Sequence, residues 1–301
     1  MLTFAIISRA RPQGLDALLA ALDRQRHGSG ASAAIRVVLN QAVDAPYQAV
    51  LDAAAARGTP FAWRICLEPG IPAARNALVA WLLEEQAEAC VFLDDDELPA
   101  SDWLATLLRL RTKHPQAILT GPVLAAPAGP PSFLARHGAY DRVRRLPSGA
   151  LAREAYTNNT LVPRAVLEAL GPSFDRRFTR TGGSDTEWFR RAAAAGFEIR
   201  YVQELVVRET VEEARAPLWP LLKRWLRNGT TDTLIRRRQR PGIATVLRVL
   251  GRGTARTAAG FGGALLQALL LRPRAMLRWL RLGCSGLGSL LGLFSISPRQ
   301  Y

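Results

Sequence analysis

The sequence predicts an α/β fold in which a doubly wound, mostly parallel sheet is followed by a basic helical tail. Short apolar segments alternate with amphipathic helical patterns through the first two thirds of the chain. The 301-residue chain carries a net charge of +15, and residues 215–301 hold sixteen Lys and Arg against one acidic residue. Residues 1–214 hold equal numbers of each sign. We therefore expect a globular catalytic domain over 1–214 and a basic, amphipathic helical tail over 215–301.

The predicted elements follow in chain order. Strands are expected at 3–7, 34–40, 61–68, 90–93, 116–124 and 197–202, and helices at 15–25, 47–58, 70–89, 101–115 and 182–196. Residues 157–171 predict a strand followed by a helix, and residues 126–150, rich in Pro, Gly and Arg, predict a loop. Pro72 fits the first turn of its helix, and Ser101 is the predicted N-cap of the next one.

The stretch "CVFLDDDELP" places an acidic run directly after an apolar strand. Ligands of open α/β sheets bind at the carboxyl ends of the strands, and residues two apart on an extended chain point the same way. Asp94 and Asp96 could therefore share one cation, which would relieve their mutual repulsion. Oxygen ligands without His or Cys fit Mg²⁺ or Mn²⁺, with substrate phosphates completing the shell. The alternative is an acidic loop that caps the following helix.

Two further segments contain candidate functional residues. In "TGGSDTEW", Asp185 and Glu187 stand at a helix start, and each is a candidate general base. Plain N-terminal capping is the alternative there. In "GIPAARNAL", Arg75 and Asn76 fall in the first turn of a helix, where backbone N–H groups favour anions. A solvated arginine is the alternative there.

Together these segments resemble the family 2 glycosyltransferases of the GT-A fold, closest to bacterial enzymes that extend exopolysaccharide or lipopolysaccharide repeat units. The similar segments keep the family's order: "IISRARPQGLDALLAAL", "GIPAARNALVAW", "VFLDDDELPASDWL", "NNTLVPRAVLEALGPSFDRRF" and "GGSDTEWFRR". The resemblance covers residues 3 to about 230. It implies an inverting enzyme that transfers a sugar from a nucleotide-diphosphate sugar with the help of Mg²⁺ or Mn²⁺.

The resemblance also implies roles for individual residues. Asp94 and Asp96 match the DxD pair that binds the metal and the donor, and Asp185 matches the catalytic base, with Glu187 as the second candidate. The remaining candidates are Ser8, Arg11, Asn40, Arg75 and Asn76 for the donor nucleotide, and Gly182, Gly183, Trp188, Arg224 and Trp225 for the acceptor side. The second strand ends in Leu39 and Asn40, where the family has an Asp that contacts the base, so the donor base is not defined. Ser184 stands where the family has a Glu.

The tail predicts association with a membrane surface. Segments 257–271 and 282–296 are apolar but shorter than the roughly 20 residues needed to span a bilayer, and arginines lie between them. A basic hairpin on an anionic membrane fits this pattern; packing on protein is the first alternative and nucleic-acid binding the least favoured. Arg224–Trp225 is similar to the Arg-Trp of processive synthases, but Leu221 replaces their Gln, so we expect transfer of one sugar.

These patterns predict a transferase that works at the cytoplasmic face of the inner membrane on a glycan or lipid-linked acceptor. The three widely spaced cysteines form no disulfide or metal pattern, and no secretory leader is visible at the N-terminus. Two other functions stay open: a degenerate transferase that serves as a membrane scaffold, and a nucleotidyltransferase-like relative.

Overall fold

The computed structural model describes residues 1–127, 129–211, 218–294 and 296. Eleven strands are found in these residues: β1 (Leu2–Ser8), β2 (Ala33–Leu39), β3 (Phe61–Ile65), β4 (Ala89–Asp94), β5 (Glu97–Pro99), β6 (Ile118–Thr120), β7 (Val123–Pro127), β8 (Leu151–Ala152), β9 (Thr160–Pro163), β10 (Ile199–Tyr201) and β11 (Val207–Val211). The helices in these residues are α1 (Pro12–Ser29), α2 (Ala45–Ala56), α3 (Ile71–Glu84), α4 (Trp103–Lys113), α5 (Phe133–Arg136), α6 (Arg164–Leu170), α7 (Ser184–Ala194), α8 (Leu218–Gln239), α9 (Ile243–Leu269) and α10 (Pro273–Leu293).

The chain forms two compact units. The first comprises residues 1–126, 142–179 and 184–210, and the second comprises 127–141, 180–183 and 211–301. The second unit thus takes two short segments from within the region predicted as the catalytic domain. The predicted boundary between residues 214 and 215 lies outside the described residues.

The first unit is built on an eight-stranded sheet with the order β3-β2-β1-β4-β9-β6-β10-β8. Strands β3, β2, β1 and β4 run parallel, as do β6 and β10, which confirms the predicted mostly parallel α/β sheet. β9 lies antiparallel between β4 and β6. A smaller sheet has the order β5-β11-β7.

The large sheet is covered on both faces because its side chains alternate. Phe4 and Ile6 of β1 belong to a core with α1, α2 and α4, and Ala5 between them belongs to a core with α3, α6 and α7. All three strand residues are at most 1% exposed. This burial on two faces explains why β1 and β4 are continuous apolar runs.

Two local predictions were wrong. The strand expected over 116–124 is broken at Gly121 into β6 and β7, which lie in different sheets. A Cβ on Gly121 would stand 1.9 Å from the carbonyl oxygen of Leu205, so only glycine permits this crossing. Ser101 does not cap α4, because Asp102 is its N-cap and no side-chain hydrogen bond is made there.

The second unit consists mainly of α8, α9 and α10, and α10 packs against both other helices. The contacts use small residues: a Cβ on Gly260 of α9 would lie 2.1 Å from the backbone nitrogen of Gly283, and one on Gly288 would lie 1.9 Å from the carbonyl oxygen of Leu226. The segment 282–293 is therefore largely used in helix packing, and its predicted place on a membrane surface stays a prediction. No helix among the described residues is long and apolar enough to cross a membrane.

Candidate active site

The acidic run lies at the carboxyl end of β4. Asp94 is the last residue of that strand, Asp95 and Asp96 form a turn, and Glu97 begins β5. β4 pairs with β1 in the middle of the large sheet, so the run lies at the same sheet edge as Ser8, the last residue of β1. This edge is where open α/β sheets bind their ligands.

Asp95 is held by residues of β1 and the turn that follows it. Its Oδ2 accepts a 2.6 Å hydrogen bond from the Ser8 hydroxyl, which also lies 2.8 Å from the Tyr47 hydroxyl. Nη1 of Arg11 lies 3.2 Å from Asp95 Oδ1 and 2.7 Å from Asp96 Oδ2. Asp95 is only 5% exposed, and burial raises its pKa although Ser8 and Arg11 counteract that effect. Asp95 therefore joins the acidic turn to β1.

Asp94 has a different environment from its two neighbours. Its carboxylate is half-buried and accepts no hydrogen bond from the residues that the structure describes, and its backbone N–H donates to Glu97 Oε2 at 3.1 Å. Burial and then the negative charge of Asp96 raise the pKa of Asp94 from 3.8 to about 7, against the opposing effects of Arg75 and Arg142. The charged form of Asp94 is therefore costly until a cation or hydrogen-bond donor reaches it.

Two buried glutamates stand beside this carboxylate. Glu97 and Glu209 are direct partners in the antiparallel ladder of the smaller sheet, and both are at most 5% exposed. The Arg142 guanidinium donates to Glu209, and its backbone forms two hydrogen bonds with Val123 of β7, at 2.8 and 3.2 Å. Burial and the charge of Asp94 raise the pKa of Glu97 well above its ordinary value. Arg142 is thus a cation that offsets the charge of these buried acids.

Arg75 joins the start of α3 to the start of α7. The side chain is 7% exposed, its Nη1 donates to the Ser184 hydroxyl at 3.2 Å, and its guanidinium carbon lies 5.7 Å from the Phe174 ring centre. Its positive charge also acts on Asp94. The next residue after Ser184, Asp185, is half-buried; its Oδ1 accepts a 2.7 Å bond from the backbone of Thr186. Its Oδ2 accepts no hydrogen bond from the described part of the chain.

Comparison with known proteins identifies the family. A family model described as "glycosyltransferase like family 2" matches residues 3–231, a span that includes every element of this site. The chain belongs to glycosyltransferase family 2. The predicted resemblance is thereby confirmed.

The family 2 chain is similar to proteins of polysaccharide synthesis and to solved glycosyltransferases. It is 34% identical over 168 residues to the succinoglycan biosynthesis protein ExoM of Rhizobium meliloti (strain 1021), covering 55% of this chain and 53% of that protein. The chain thus spans about half the length of this curated relative.

Two solved structures show the same GT-A-like fold. The mannosyltransferase PcManGT from Pyrobaculum calidifontis, in complex with GDP-Man and Mn²⁺, matches with a TM-score of 0.59 and 16% identity, over 96% of this chain and 86% of its own. TarS of S. aureus (residues 1–349), in complex with UDP, matches with a TM-score of 0.52 and 13% identity, over 98% of this chain and 91% of its own.

Two predicted donor-binding residues of this family 2 chain form hydrogen bonds within the chain, and their role in donor binding stays a prediction. The Asn40 amide donates to the carbonyl oxygens of Cys66 and Glu68 at 2.8 and 2.7 Å and accepts from the Gly70 N–H at 3.1 Å. Both of its N–H groups are thus used within the chain. Asn76 exchanges two hydrogen bonds, of 3.0 and 2.7 Å, with the backbone of Phe174. These amides fix the loops at the sheet edge.

Several predicted acceptor-side residues serve packing. Trp188 is fully buried in the first unit, stacked on Phe174 with ring centres 5.1 Å apart. In the second unit, a Cβ on Gly183 would lie 2.1 Å from the Thr231 side chain, and the carbonyl oxygen of Gly182 accepts a 3.5 Å bond from the Thr231 hydroxyl. Trp225 is 3% exposed. Trp188 and Trp225 are thus core residues, whereas Gly182 and Gly183 are half-buried, and the acceptor-side role of this group stays a prediction.

Glu187, the second candidate base, is bound to another residue. Its Oε1 lies 2.9 Å from Nε of Arg191, and that guanidinium also donates to the side chain and backbone of Ser173. Among the described residues, Glu187 Oε2 is buried without a partner. Asp185 is therefore the more accessible of the two candidate bases.

Sequence reasoning missed Tyr47 and Arg142. Tyr47 matches the apolar face of α2, yet its hydroxyl also accepts the Arg11 N–H at 2.9 Å. Arg142 lies in a segment predicted as a loop, 67 residues from Glu209 in the chain. No local pattern marks either contact.

The donor set at this edge fits a divalent cation. Five carboxyl groups, those of Asp94–Glu97 and Glu209, are found with three guanidinium groups, those of Arg11, Arg75 and Arg142, so the carboxyl groups outnumber these guanidinium groups by two. Within the described residues, no three His, Cys, Asp or Glu side chains are grouped so that they could hold a metal alone. An ion held by one or two carboxylates and completed by substrate phosphates matches both observations.

Proposed function

We propose that this chain is an inverting, metal-dependent glycosyltransferase that moves one sugar from a nucleotide-diphosphate sugar to a glycan or lipid-linked acceptor in cell-surface polysaccharide synthesis. The observation that carries the proposal is the surplus of carboxyl groups at the end of β4, where the Asp94 carboxylate accepts no hydrogen bond from the described residues. The chain's membership of family 2 and its likeness to proteins solved with UDP, UDP-GlcNAc or GDP-Man support a nucleotide-sugar donor.

Asp94 and Asp96 would hold Mg²⁺ or Mn²⁺, which supplies charge stabilisation to the departing diphosphate when bound. Arg75 is a second source of positive charge, because its buried guanidinium is fixed by Ser184 before any substrate arrives. Preorganised charge of this kind acts without reorganisation in the transition state. Ser8 and Arg11 position the acidic turn.

Asp185 is the proposed base. Its Oδ2 takes the proton of the acceptor hydroxyl as that oxygen attacks the anomeric carbon, and the bond from this carbon to the diphosphate breaks on the opposite side. A single displacement inverts the anomeric carbon. The bond between Oδ1 and the Thr186 N–H orients the carboxylate.

We further propose a peripheral location on the cytoplasmic face of the inner membrane, where a lipid-linked acceptor would be reached. The basic charge of residues 215–301 supports this location, and no nucleic-acid partner is proposed.

A panel of nucleotide sugars with Mn²⁺ or Mg²⁺ tests the activity. Binding is measured by thermal shift, and turnover by release of the nucleoside diphosphate. We expect one donor class to be turned over by the wild type, and turnover to be lost in Asp94→Asn and Asp185→Asn but kept in Asp52→Asn, which alters an exposed carboxylate on α2. If no donor is turned over by the wild type, the scaffold function is favoured instead.

A further inference from the structure

Helix α9 has an apolar stripe along its solvent-facing side. The stripe consists of Ile243, Leu247, Leu250, Phe261, Leu265 and Leu269, whose side chains are between 39% and 74% exposed. At 100° per residue these positions fall within an arc of about 100°, and 27 residues give a length of about 40 Å. The six large apolar side chains form two groups on one helix face, at 243–250 and at 261–269, with Thr254 and Ala258 between them. Soluble surfaces rarely expose large apolar patches.

The opposite side of α9 is already occupied. Thr245, Val249, Gly253, Gly260 and Ala264 are buried, and Gly253 and Gly260 contact α10 closely. The helix is therefore held by its small-residue side. Its apolar stripe has no partner among the described residues of the second unit.

A row of arginines lies on the flank of α9 between the stripe and the buried side, with Arg248 nearest the stripe. Arg248, Arg252 and Arg256 repeat every four residues, are exposed, and form no ion pair or hydrogen bond with the described residues. The only acidic residue after residue 214 is Asp232, which pairs with Arg236 at 2.8 Å. The stripe thus belongs to a segment, residues 215–301, with a large positive net charge.

We propose that the apolar stripe of α9 is a docking face for an anionic phospholipid surface, with the helix lying in the plane of the interface. Leucine and phenylalanine side chains enter the acyl boundary, and the positive charge of the helical unit attracts the anionic headgroups. The proposal deepens the peripheral location given above and rests on it. It transfers the docking role from the predicted hairpin, whose second segment is packed inside the helical unit, to the outer side of α9.

Charge selects lipid over a second copy of this chain. Two copies that met through this stripe would bring two surfaces of the same positive sign together, which is unfavourable. An anionic bilayer would cover the apolar stripe and would also attract the positive charge of the helical unit. An acidic partner protein is the remaining occupant, and the experiment below separates it from lipid.

The test is co-sedimentation of the full chain with vesicles of equimolar phosphatidylglycerol and phosphatidylcholine, and with vesicles of phosphatidylcholine alone. Leu265→Ser should lower the partition coefficient on anionic vesicles by about tenfold, whereas Leu151→Ser should leave it unchanged. Leu151 is a matched control because it is 60% exposed and Leu265 is 64% exposed. Raising the salt concentration should weaken binding of the wild type.

A charge pair of variants tests the arginine row. Replacing Arg248, Arg252 and Arg256 together by Gln should lower partitioning by about 100-fold. Replacing Arg24, Arg153 and Arg208, which are exposed in the first unit, removes the same charge and should have little effect. Equal losses in the two triple variants, or equal binding to both vesicle types, would overturn the proposal.

Two further outcomes would also overturn it. In one, the wild type does not bind vesicles but sediments as a dimer, and the Leu265→Ser variant sediments as a monomer. In the other, the wild type does not bind vesicles and is monomeric, which would leave an acidic partner protein as the ligand of the apolar stripe. Donor turnover in vesicle-free solution is measured in parallel, so that failure of the enzymatic proposal and failure of lipid docking are told apart.

Discussion

Replacing Asp94 by Asn should stabilise the unliganded protein at pH 8 and remove its response to a divalent cation. The pKa of Asp94 rises from 3.8 to about 7 in the folded chain. At pH values between the two pKa values, the folded state keeps a proton that the unfolded state has lost. The free energy of unfolding therefore falls as pH rises from 3.8 to about 7. Below pH 3.8 both states are protonated and the effect vanishes.

The magnitude follows from the two pKa values. One pH unit corresponds to about 1.4 kcal/mol, so ionised Asp94 costs the fold about 4 kcal/mol at pH 8 and less than about 1 kcal/mol at pH 4. Asn has the same shape without the charge. The variant should thus gain up to about 4 kcal/mol over the wild type at pH 8 and little at pH 4.

Urea unfolding at pH 4 and pH 8, with and without MnCl₂ and a nucleoside diphosphate, measures both effects. The wild type at pH 8 should gain about 3 kcal/mol at a ligand concentration 100 times the dissociation constant, and Asp94→Asn should gain almost nothing. Asp52→Asn, on an exposed face of α2, is the control. The reasoning fails if Asp94→Asn and wild type unfold alike at pH 8, or if Mn²⁺ stabilises both.

Three other substitutions test the site and the helical unit. Asp185→Asn should lower turnover by about 10²–10⁴-fold without changing the donor-induced thermal shift, and Glu187→Gln should lower turnover much less. Similar losses of turnover in the two variants would contradict the assignment of Asp185 as the base. Gly260→Ala should destabilise the helical unit by about 1–3 kcal/mol in urea unfolding, because the new Cβ would lie 2.1 Å from the Gly283 backbone. Gly262→Ala should stabilise the unit by about 1 kcal/mol, because a Cβ there has no neighbour within 4 Å and alanine favours the helix. Arg142→Met should lower the free energy of unfolding by about 3–5 kcal/mol, because it removes the ion pair of the buried Glu209. Adding Glu209→Gln to this variant should restore most of the lost stability. A double variant as unstable as the single one would exclude the ion pair as the cause.

The sheet and its functional edge were predictable because their signals are local. An uninterrupted apolar run such as β4 indicates burial on both faces, and the first polar residue after it marks the sheet edge. Asp94, Ser8 and Arg75 follow directly from this rule and from the start of α3.

The side-chain partners were not predictable, because they come from distant parts of the chain. Asn40 bonds backbone atoms 26 and 28 residues away, and Arg142 meets Glu209 across 67 residues. Trp188 illustrates a related difficulty, since an aromatic residue beside a candidate base fits a core and an acceptor site equally well. The smaller sheet is likewise formed from short strands that have no periodic pattern of their own.

In the tail, composition predicted helices and charge but not which faces are covered. The glycines of α10 look like poor helix formers in isolation, yet they permit the close approach of α8 and α9. That approach covers the second apolar segment and leaves the outer side of α9 exposed. Only the packed arrangement of the helices shows which apolar surface is covered and which is exposed.

Arg11 gives the acidic turn a resident counter-ion. Its guanidinium lies 2.7 Å from Asp96 and 3.2 Å from Asp95, so Asp96 is already neutralised before any substrate is present. A bare metal ion would have to compete with this internal cation, gaining one attraction while another is lost. A nucleoside diphosphate bound with the metal ion would offer Arg11 a new anionic partner. Loading of the site would then be an exchange of ion pairs, and we expect Mn²⁺ alone to bind more weakly than Mn²⁺ together with a nucleoside diphosphate.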